Sequence, residues 1–226
     1  MKHYDSIPNI KDDGTLLGKD IWAFNKLDGQ NFCVSYIPKT GEFRNFGSKT
    51  QMVDETSDQF GDAVKYFKSS NFPRVLPRIV KENSGKRGIF NGIQEITFFF
   101  EWYGENSFAG RHEEGDSLRL SLIDVFLKKK GYLEPGDFYK LFVEPRELDT
   151  PELIYHGKLT KDFIRDIWEN RVGDSEAMFP EVKEGVVCKN TSLLKGQRLP
   201  KAKFKTKWWI NKLHSTYPEE EWKKLE

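Results

Sequence analysis

The sequence contains little cysteine, no internal repeat and no long apolar run. Cys33 and Cys188 are the only two cysteines among 226 residues, and they are far apart and without metal-ligand spacing. A disulfide framework and a zinc site are therefore not expected. The longest apolar stretch, around Ile96–Phe100, is much shorter than a membrane span, and the polar N-terminal segment lacks the apolar region of a signal peptide. These absences predict an intracellular, cytoplasmic protein.

What the sequence does contain is enough apolar material for a solid core. Hydrophobic residues make up 37% of the chain, aromatic residues 14% and charged residues 31%, which is typical of a globular protein. The net charge is only +1, but the stretch from Lys195 to Lys207 is basic and contains no acid. Such a stretch is typical of a phosphate-binding site and equally of a solvated strand, so charge alone leaves both explanations open.

The hydrophobic periodicity predicts an α+β fold with mainly antiparallel sheets and a single domain over residues 1–226. Residues 20–50 alternate apolar and polar side chains around turn signals at Asp28-Gly29 and at residues 39–41, which predicts strands joined by hairpins. The aromatic run Glu95–Tyr103 predicts a central strand, and Ser117–Phe126 predicts a strand beside it. Because strands and helices do not alternate regularly, a parallel βαβ fold is not expected.

Further segments have helical spacing or late-strand patterns. Helices are predicted over 54–70, over a shorter piece at 72–83 that Pro77 breaks, near Asp137–Val143, and over Thr160–Arg171 with Thr160 as the N-cap. Two late strands are predicted at 184–190 and 201–209, and residues 210–226 are predicted to form a short helical tail.

Four short segments carry side chains suited to phosphate chemistry. They are Lys26-Leu27-Asp28-Gly29, Glu101 inside an aromatic strand, Glu184 with Lys189, and Lys203-Phe204-Lys205. Alternate residues of a strand share a face, so Lys203, Lys205 and Lys207 are predicted to point the same way. Glu184 and Lys189 are five residues apart and would face opposite sides of a regular strand, unless a bend or a position outside the strand changes this.

Each of the four segments also has an ordinary structural explanation. Asp-Gly is a common turn dipeptide, and a lone buried acid such as Glu101 can be satisfied by one lysine. Glu184-Gly185 can be a turn before a strand, and lysines on strands often protect sheet edges. The occurrence of all four segments in one order is what favours a functional site.

In this order the segments resemble the motifs of the covalent nucleotidyltransferase superfamily, which comprises ATP-dependent RNA and DNA ligases and mRNA capping enzymes. Lys26-Leu27-Asp28-Gly29 resembles the nucleophile motif Lys-x-Asp-Gly, and "EGVVCK" resembles the motif Glu-Gly-x-Val-x-Lys. "FFFEWYG" and "LSLIDVF" resemble the two motifs between them. "AKFKTKWW" resembles the last motif, Lys-x-Lys, in the form associated with phage-type RNA ligases. The resemblance covers roughly residues 20–209.

The resemblance implies an ATP-grasp-like ligase adenylation fold and an ATP-dependent RNA ligase. Since only 17 residues follow Trp209, no OB-fold domain is expected. Lys26 would form lysyl-AMP and release pyrophosphate, AMP would pass to a 5′-phosphate end, and a 3′-hydroxyl would displace it. The implied cofactors are ATP and Mg²⁺, or Mn²⁺, and the implied partner is RNA, with nicked duplex or DNA as alternatives. A monomer is expected, and a phage or viral origin is compatible with the motif form.

The resemblance also implies a role for each motif residue. Catalysis is assigned to Lys26, Glu184, Lys203 and Lys205, and metal binding to Glu101 and Glu184. Nucleotide contacts are assigned to Asn25, Leu27, Asp28, Gly29, Glu101, Lys189 and Lys49, with Arg44 in reserve. A free lysine has a pKa near 10.4, so forming the neutral amine at pH 7 costs roughly 4.6 kcal/mol. Nearby Mg²⁺ and lysines would reduce that cost.

Two alternative functions stay open at this point. The first is another member of the same chemistry, a minimal ATP-dependent DNA ligase or, less favoured without an OB-fold, a capping guanylyltransferase. The second is a nucleic-acid-binding module without a covalent step, in which the lysines only hold phosphates. Glu101 and Glu184 argue against this module, because acids in a phosphate groove are unfavourable unless a metal lies between.

Overall fold

A computed structural model describes residues 2–10, 16–191 and 200–225. Residues 195–199 of the basic stretch noted above lie outside the described residues. The chain divides into two compact units, one containing Met1–Asp5 and Gly29–Thr150 and the other Ser6–Asp28 and Pro151–Glu226. The single domain over 1–226 stays a prediction. Within the described ranges, no helix is long and apolar enough to cross a membrane.

The elements follow one another in a mixed order of strands and helices. The strands are β1 (Asp20–Lys26), β2 (Gly29–Ile37), β3 (Glu42–Ser48), β4 (Ile96–Tyr103), β5 (Arg119–Leu127), β6 (Gly131–Tyr132), β7 (Leu153–Lys158), β8 (Gly185–Asn190) and β9 (Lys201–Lys205). The helices are α1 (Gly61–Ser69), α2 (Phe72–Glu82), α3 (Pro135–Phe138), α4 (Lys161–Trp168), α5 (Lys207–Thr216) and α6 (Glu219–Leu225), and a π-helical turn at Tyr139–Val143 follows α3.

Each unit is built around one antiparallel sheet. The first unit has five strands in the order β3-β2-β4-β5-β6, and the second has four in the order β7-β1-β8-β9. The aromatic strand β4 pairs with β2 and β5, which confirms the predicted central position and the predicted neighbour. Two antiparallel sheets with helices confirm the α+β fold class.

One face of the second sheet is covered by α4. Alternate residues of β1, β8 and β9 join Phe163 and Ile167 of α4 in a single buried cluster, namely Ile21, Ala23, Val186, Cys188, Ala202 and Phe204. The helix begins where the sequence predicts, because the side chain of Thr160 accepts a hydrogen bond from the backbone N–H of Phe163. With this face committed to the core, the intervening residues, Lys26 among them, lie on the opposite face of the sheet.

The predicted hairpin at Asp28-Gly29 is wrong. β1 pairs with β7 and β8, whereas β2 pairs with β3 and β4, so the dipeptide connects strands of two different sheets. Gly29 is required by close packing, because a Cβ there would lie 2.4 Å from the carbonyl oxygen of Trp102. The turn predicted at residues 39–41 is confirmed, with the N–H of Gly41 donating to the carbonyl of Ile37 at 2.9 Å.

The prediction that Pro77 breaks the second helix is wrong. α2 runs through it for 11 residues and is longer than α1, which has 9. Proline lacks an N–H, so one hydrogen bond to the preceding turn is lost. Five residues at helical spacing offset that loss by packing into the core, namely Phe72, Val75, Leu76, Ile79 and Val80.

The last predicted strand ends earlier than the sequence suggests. β9 stops at Lys205, and Lys207 is the first residue of α5. Lys207 therefore does not continue the row of Lys203 and Lys205, and the prediction that it shares their face is wrong. The physical reason is Thr206, whose hydroxyl caps α5 by accepting a hydrogen bond from the N–H of Trp209.

Candidate active site

The predicted nucleophile lies at the end of a central strand. Lys26 is the last residue of β1, and its Nζ donates a 2.8 Å hydrogen bond to Oε2 of Glu184. The two residues are 158 positions apart in the chain, and the β1–β8 register brings them together by placing Lys26 opposite Gly185. Glu184 lies just before β8. Since it is outside the strand, strand alternation does not force it onto the face opposite Lys189.

Gly185 has a lysine as its cross-strand partner on each side. It pairs with Lys26 across β1 and with Lys205 across β9. A Cβ at this position would lie 2.2 Å from the carbonyl oxygen of Phe204, so only glycine lets the two strands approach this closely. This packing explains why a glycine follows the acid in the sequence motif.

Glu184 binds two ammonium groups at once. Its side chain is only 4% exposed, and Oε1 lies 3.4 Å from Nζ of Lys205 while Oε2 binds Lys26. Lys203, two residues before Lys205 on β9, is half-buried and shares the face of Lys205 by strand alternation. The cluster of Lys26, Glu184, Lys203 and Lys205, called the lysine cluster below, therefore has three cations and one carboxylate.

The surroundings of Lys205 in the lysine cluster change its pKa. Burial lowers the pKa of Lys205, Glu184 raises it, and Lys26 and Lys203 lower it further, with a net result of about 8. Its Nζ also lies 3.6 Å from the ring centroid of Trp209 and donates a 2.8 Å hydrogen bond to the carbonyl of Leu225. At neutral pH Lys205 is therefore charged, in an environment that disfavours its charge.

We expect Lys205→Met to stabilise the fold at pH 7 by on the order of 1–3 kcal/mol, because the lowered pKa shows that the charge of Lys205 is unfavourable even beside Glu184. Glu184 keeps Lys26 as its counter-charge in this variant. Between pH 8 and 10.5 the unfolded chain keeps the Lys205 proton and the folded protein loses it. Wild-type stability therefore rises through this range, and the difference from Lys205→Met shrinks. Urea unfolding at pH 7 and pH 9.5 measures both. A variant less stable than wild type at pH 7 contradicts this expectation.

Lys189 lies on the same sheet face as the lysine cluster. It is four residues along β8 from Gly185, which pairs with Lys26. It pairs with Trp22 on β1 and with Lys201 on β9, and it is 3% exposed. Its Nζ lies 5.2 Å from the ring centroid of Phe24, which alternates with Lys26 along β1. Lys189 thus adds a further buried positive charge to this face of the sheet.

Asn25, the residue before Lys26, is held by two hydrogen bonds. Its Nδ2 donates a 3.1 Å hydrogen bond to the carbonyl of Glu181, and its N–H donates to the carbonyl of Glu152. Oδ1 is buried and has no hydrogen-bond partner among the described residues. Leu27 and Asp28 follow as half-buried residues outside the strands.

Four of the predicted site residues belong to the first unit. Glu101 is half-buried on β4, opposite Asn31 of β2 and Ser121 of β5. Gly29 begins β2, Lys49 follows β3 as an exposed residue, and Arg44 is an exposed residue of β3 that binds Glu42 through Nε at 3.0 Å. The described residues contain no group of three or more His, Cys, Asp or Glu that could hold a metal ion.

Thr206 and Trp209 contact the lysine cluster, and sequence reasoning missed both. Thr206 is completely buried and donates through its N–H to the carbonyl of Glu184. The aromatic pair at 208–209 suggested a strand, whereas Thr followed by a helix-compatible segment is also an N-cap signal. Giving that signal more weight would have located the end of β9.

Solved structures with the same fold are ligases. The chain has a TM-score of 0.61 and 15% identity to a variant of Naegleria gruberi RNA ligase with AMP and manganese, covering 96% of this chain and 59% of that one. The same ligase with pyrophosphate has a TM-score of 0.57 and 16% identity, with 96% and 59% covered. An Aquifex aeolicus protein that carries the name ATP-dependent DNA ligase has a TM-score of 0.60 and 18% identity, with 100% and 57% covered.

These likenesses define the fold as that of the nucleotidyltransferase domain of ATP-dependent ligases. The chain spans less than three fifths of the length of the three structures. The comparison with curated proteins gave no match. The family model described as RNA ligase matches residues 19–207, which is most of the chain and includes the whole lysine cluster. The protein belongs to the RNA ligase family.

Proposed function

We propose that the protein is an ATP-dependent RNA ligase that works through a covalent lysyl-AMP on Lys26. The observation that carries the proposal is the 2.8 Å contact between Nζ of Lys26 and the buried carboxylate of Glu184, which joins two motifs from distant parts of the chain. Membership of the RNA ligase family supports it. Neighbours of the same fold hold AMP or ATP with manganese.

The first step is attack of the Lys26 amine on the α-phosphorus of ATP. An N–P bond forms, the bond to the bridging oxygen of the leaving group breaks, and pyrophosphate leaves with that electron pair. Glu184 holds Nζ of Lys26 in position. The amine, on a side chain that is 20% exposed, gives its proton to water, and the positive charges of Lys203 and Lys205 favour that loss. The same two charges stabilise the negative charge that the phosphate oxygens carry in the transition state.

The two later steps transfer and then release the AMP. A 5′-phosphate oxygen of the polynucleotide attacks the phosphorus of lysyl-AMP, which frees Lys26 and leaves an adenylated end with a pyrophosphate linkage. A 3′-hydroxyl then attacks the phosphorus of the polynucleotide 5′-phosphate, AMP leaves, and a phosphodiester joins the strands. Lys26 gives up AMP readily because the N–P bond breaks with return of a proton to the amine.

The residues of the second unit fit a nucleotide. The lysine cluster supplies cations for the phosphates. Asn25 alternates with Ile21 and Ala23 along β1 and stays a predicted nucleotide contact. Leu27, Asp28, Gly29, Lys49, Arg44, Glu101 and Lys189 stay predicted nucleotide contacts.

The residues also fit one divalent cation bound mainly through the substrate. Mg²⁺ is usually held by one or two carboxylates together with phosphate oxygens and water, and the carboxylate of Glu184 is suited to this. When bound, such a cation would neutralise phosphate charge and favour departure of pyrophosphate. Mn²⁺ has the same ligand preference, and Glu101 stays the second predicted metal ligand.

The second candidate function is an ATP-dependent DNA ligase, because a neighbour with a TM-score of 0.60 carries that name. The RNA substrate rests on the family match and on the form of the last motif. RNA ends bearing 5′-phosphate and 3′-hydroxyl groups, a monomeric state and an intracellular location stay predictions. A binding module without covalent chemistry is disfavoured by membership of the RNA ligase family.

We expect the protein to retain label from α-labelled ATP, in the presence of Mg²⁺ or Mn²⁺, through a denaturing gel. Label from GTP should not be retained, and the retained AMP should move to 5′-phosphorylated RNA when it is added. Nicked DNA in a parallel reaction decides between the two candidate substrates. A folded protein that never acquires label overturns the proposed function, and preferential transfer to nicked DNA replaces RNA ligase by DNA ligase.

A further inference from the structure

Thr206 directly follows Lys205, and three of its hydrogen bonds hold segments next to the lysine cluster. Its N–H donates to the carbonyl of Glu184 at 2.9 Å, and its Oγ1 donates to the carbonyl of Lys183 at 2.7 Å. The same oxygen accepts from the N–H of Trp209 at 3.1 Å. Since the residue is 0% exposed, water cannot replace the two bonds of the hydroxyl if it is removed.

The bonds to Lys183 and Glu184 hold a segment that the sheet itself does not hold. Glu184 precedes β8, so its backbone has no place in the regular ladder of that strand. Both carbonyls just before β8 are bound by Thr206 instead. The direction in which the Glu184 carboxylate leaves the backbone therefore depends on Thr206.

The bond to Trp209 acts on the other side of the lysine cluster. The Thr206 hydroxyl caps α5, so the helix begins immediately after β9. This places the ring centroid of Trp209 3.6 Å from Nζ of Lys205. The hydroxyl thus acts on both sides of Lys205: it binds Lys183, the residue before Glu184, and it caps the helix that carries Trp209. Thr206 itself touches none of the reacting groups.

We propose that Thr206 is a positioning residue for adenylation, acting through Glu184 and Lys205 on the approach of Lys26 to ATP. The inference rests on the proposed function and gives a role to a residue of the last segment to which the resemblance assigns none. Positioning errors of an ångström at the reacting groups can reduce a rate by about a hundredfold. A cap whose only task is helix stability would instead lower the stability of the fold and leave the rate unchanged.

The chain offers a matched control in Thr160. Its hydroxyl caps α4 by accepting from the N–H of Phe163 at 3.1 Å, the same distance as in the Thr206 cap. Helix α4 covers the face of the second sheet opposite the lysine cluster. Thr160→Val therefore removes a cap of the same length, at an exposed position of the same unit of the chain, away from the reacting groups. Thr206→Val removes the hydroxyl at constant shape, and Thr206→Ser retains it.

The experiment measures single-turnover formation of lysyl-AMP against ATP concentration. For Thr206→Val we expect the rate at saturating ATP to fall by about tenfold to a hundredfold, with a much smaller change in the half-saturating ATP concentration. Thr206→Ser should recover the rate to within about threefold, and Thr160→Val should keep the wild-type rate despite its lost cap.

The possible outcomes separate the inference from the proposed function. A folded Thr206→Val with the wild-type rate, or a loss of rate equal to that of Thr160→Val, overturns the positioning role. If wild type forms no lysyl-AMP, the proposed function itself fails. Should Thr206→Val not fold, Thr206→Cys takes its place, because a thiol is a weaker donor and acceptor of similar size. An intermediate rate then supports the role, and a wild-type rate overturns it.

Discussion

Lys26→Ala and Lys26→Arg should each reduce lysyl-AMP formation by at least about a thousandfold, the scale expected when a covalent nucleophile is removed. Alanine removes the amine together with its ion pair to Glu184. Arginine keeps a positive charge that can bind Glu184, but a guanidinium does not lose its proton in proteins and cannot attack phosphorus. The pair of variants therefore separates the charge of residue 26 from its nucleophilicity.

The measurement is retention of label from α-labelled ATP on a denaturing gel, with circular dichroism to check folding. Lys65→Ala is the control, since Lys65 is an exposed lysine of the first unit whose ion pair with Asp62 lies on the surface of α1. It should retain label like wild type. Retention of more than a small fraction of the label by Lys26→Arg would show that another residue is the nucleophile.

Glu184→Gln should lower the free energy of unfolding at pH 7 by about 3–5 kcal/mol, the usual cost of removing one partner from a buried ion pair. The carboxylate is 4% exposed and binds two ammonium groups, of which that of Lys205 is also 4% exposed. Glutamine preserves the shape but leaves the lysines without their counter-charge. Lysyl-AMP formation should be lost as well, since glutamine holds Lys26 less firmly and is a poor metal ligand.

Urea unfolding measures the stability change, and Glu55→Gln provides the comparison. Glu55 pairs with Lys68 on the surface, where about half of each side chain is exposed, so its loss should cost no more than about 1 kcal/mol. Adding Lys205→Met to Glu184→Gln should recover part of the lost stability, because it removes one of the two unpaired charges. Equal costs for Glu184→Gln and Glu55→Gln would contradict a buried ion cluster.

Local patterns in the sequence were sufficient for most elements of the fold. The aromatic run of β4, the alternation of β5 and the capped helix α4 all appear where periodicity and capping residues predict them. Pro77 was misjudged because its local preference was outweighed by the buried face of α2, which depends on the rest of the first unit.

Strand pairing could not be read from local patterns. Asp28-Gly29 has the composition of a hairpin turn, yet the strands on either side of it pair with partners far away in the chain. A turn signal reports only that the chain changes direction, whereas the choice of partner depends on which faces are buried. Local patterns likewise did not predict that Gly185 pairs with Lys26 and Lys205.

The sequence by itself determined which chemical groups the protein has and their order along the chain: Lys26 before Asp28-Gly29, an acid before Gly185, and alternating lysines at 203 and 205. Only the tertiary structure decided that Lys26 and Lys205 both bind the carboxylate of Glu184, and that Thr206 holds that carboxylate's backbone. The reason is physical. Residue types and spacing are properties of the chain, but a contact across 158 positions depends on the register of β1, β8 and β9. That register is selected by the packing of their other face against α4.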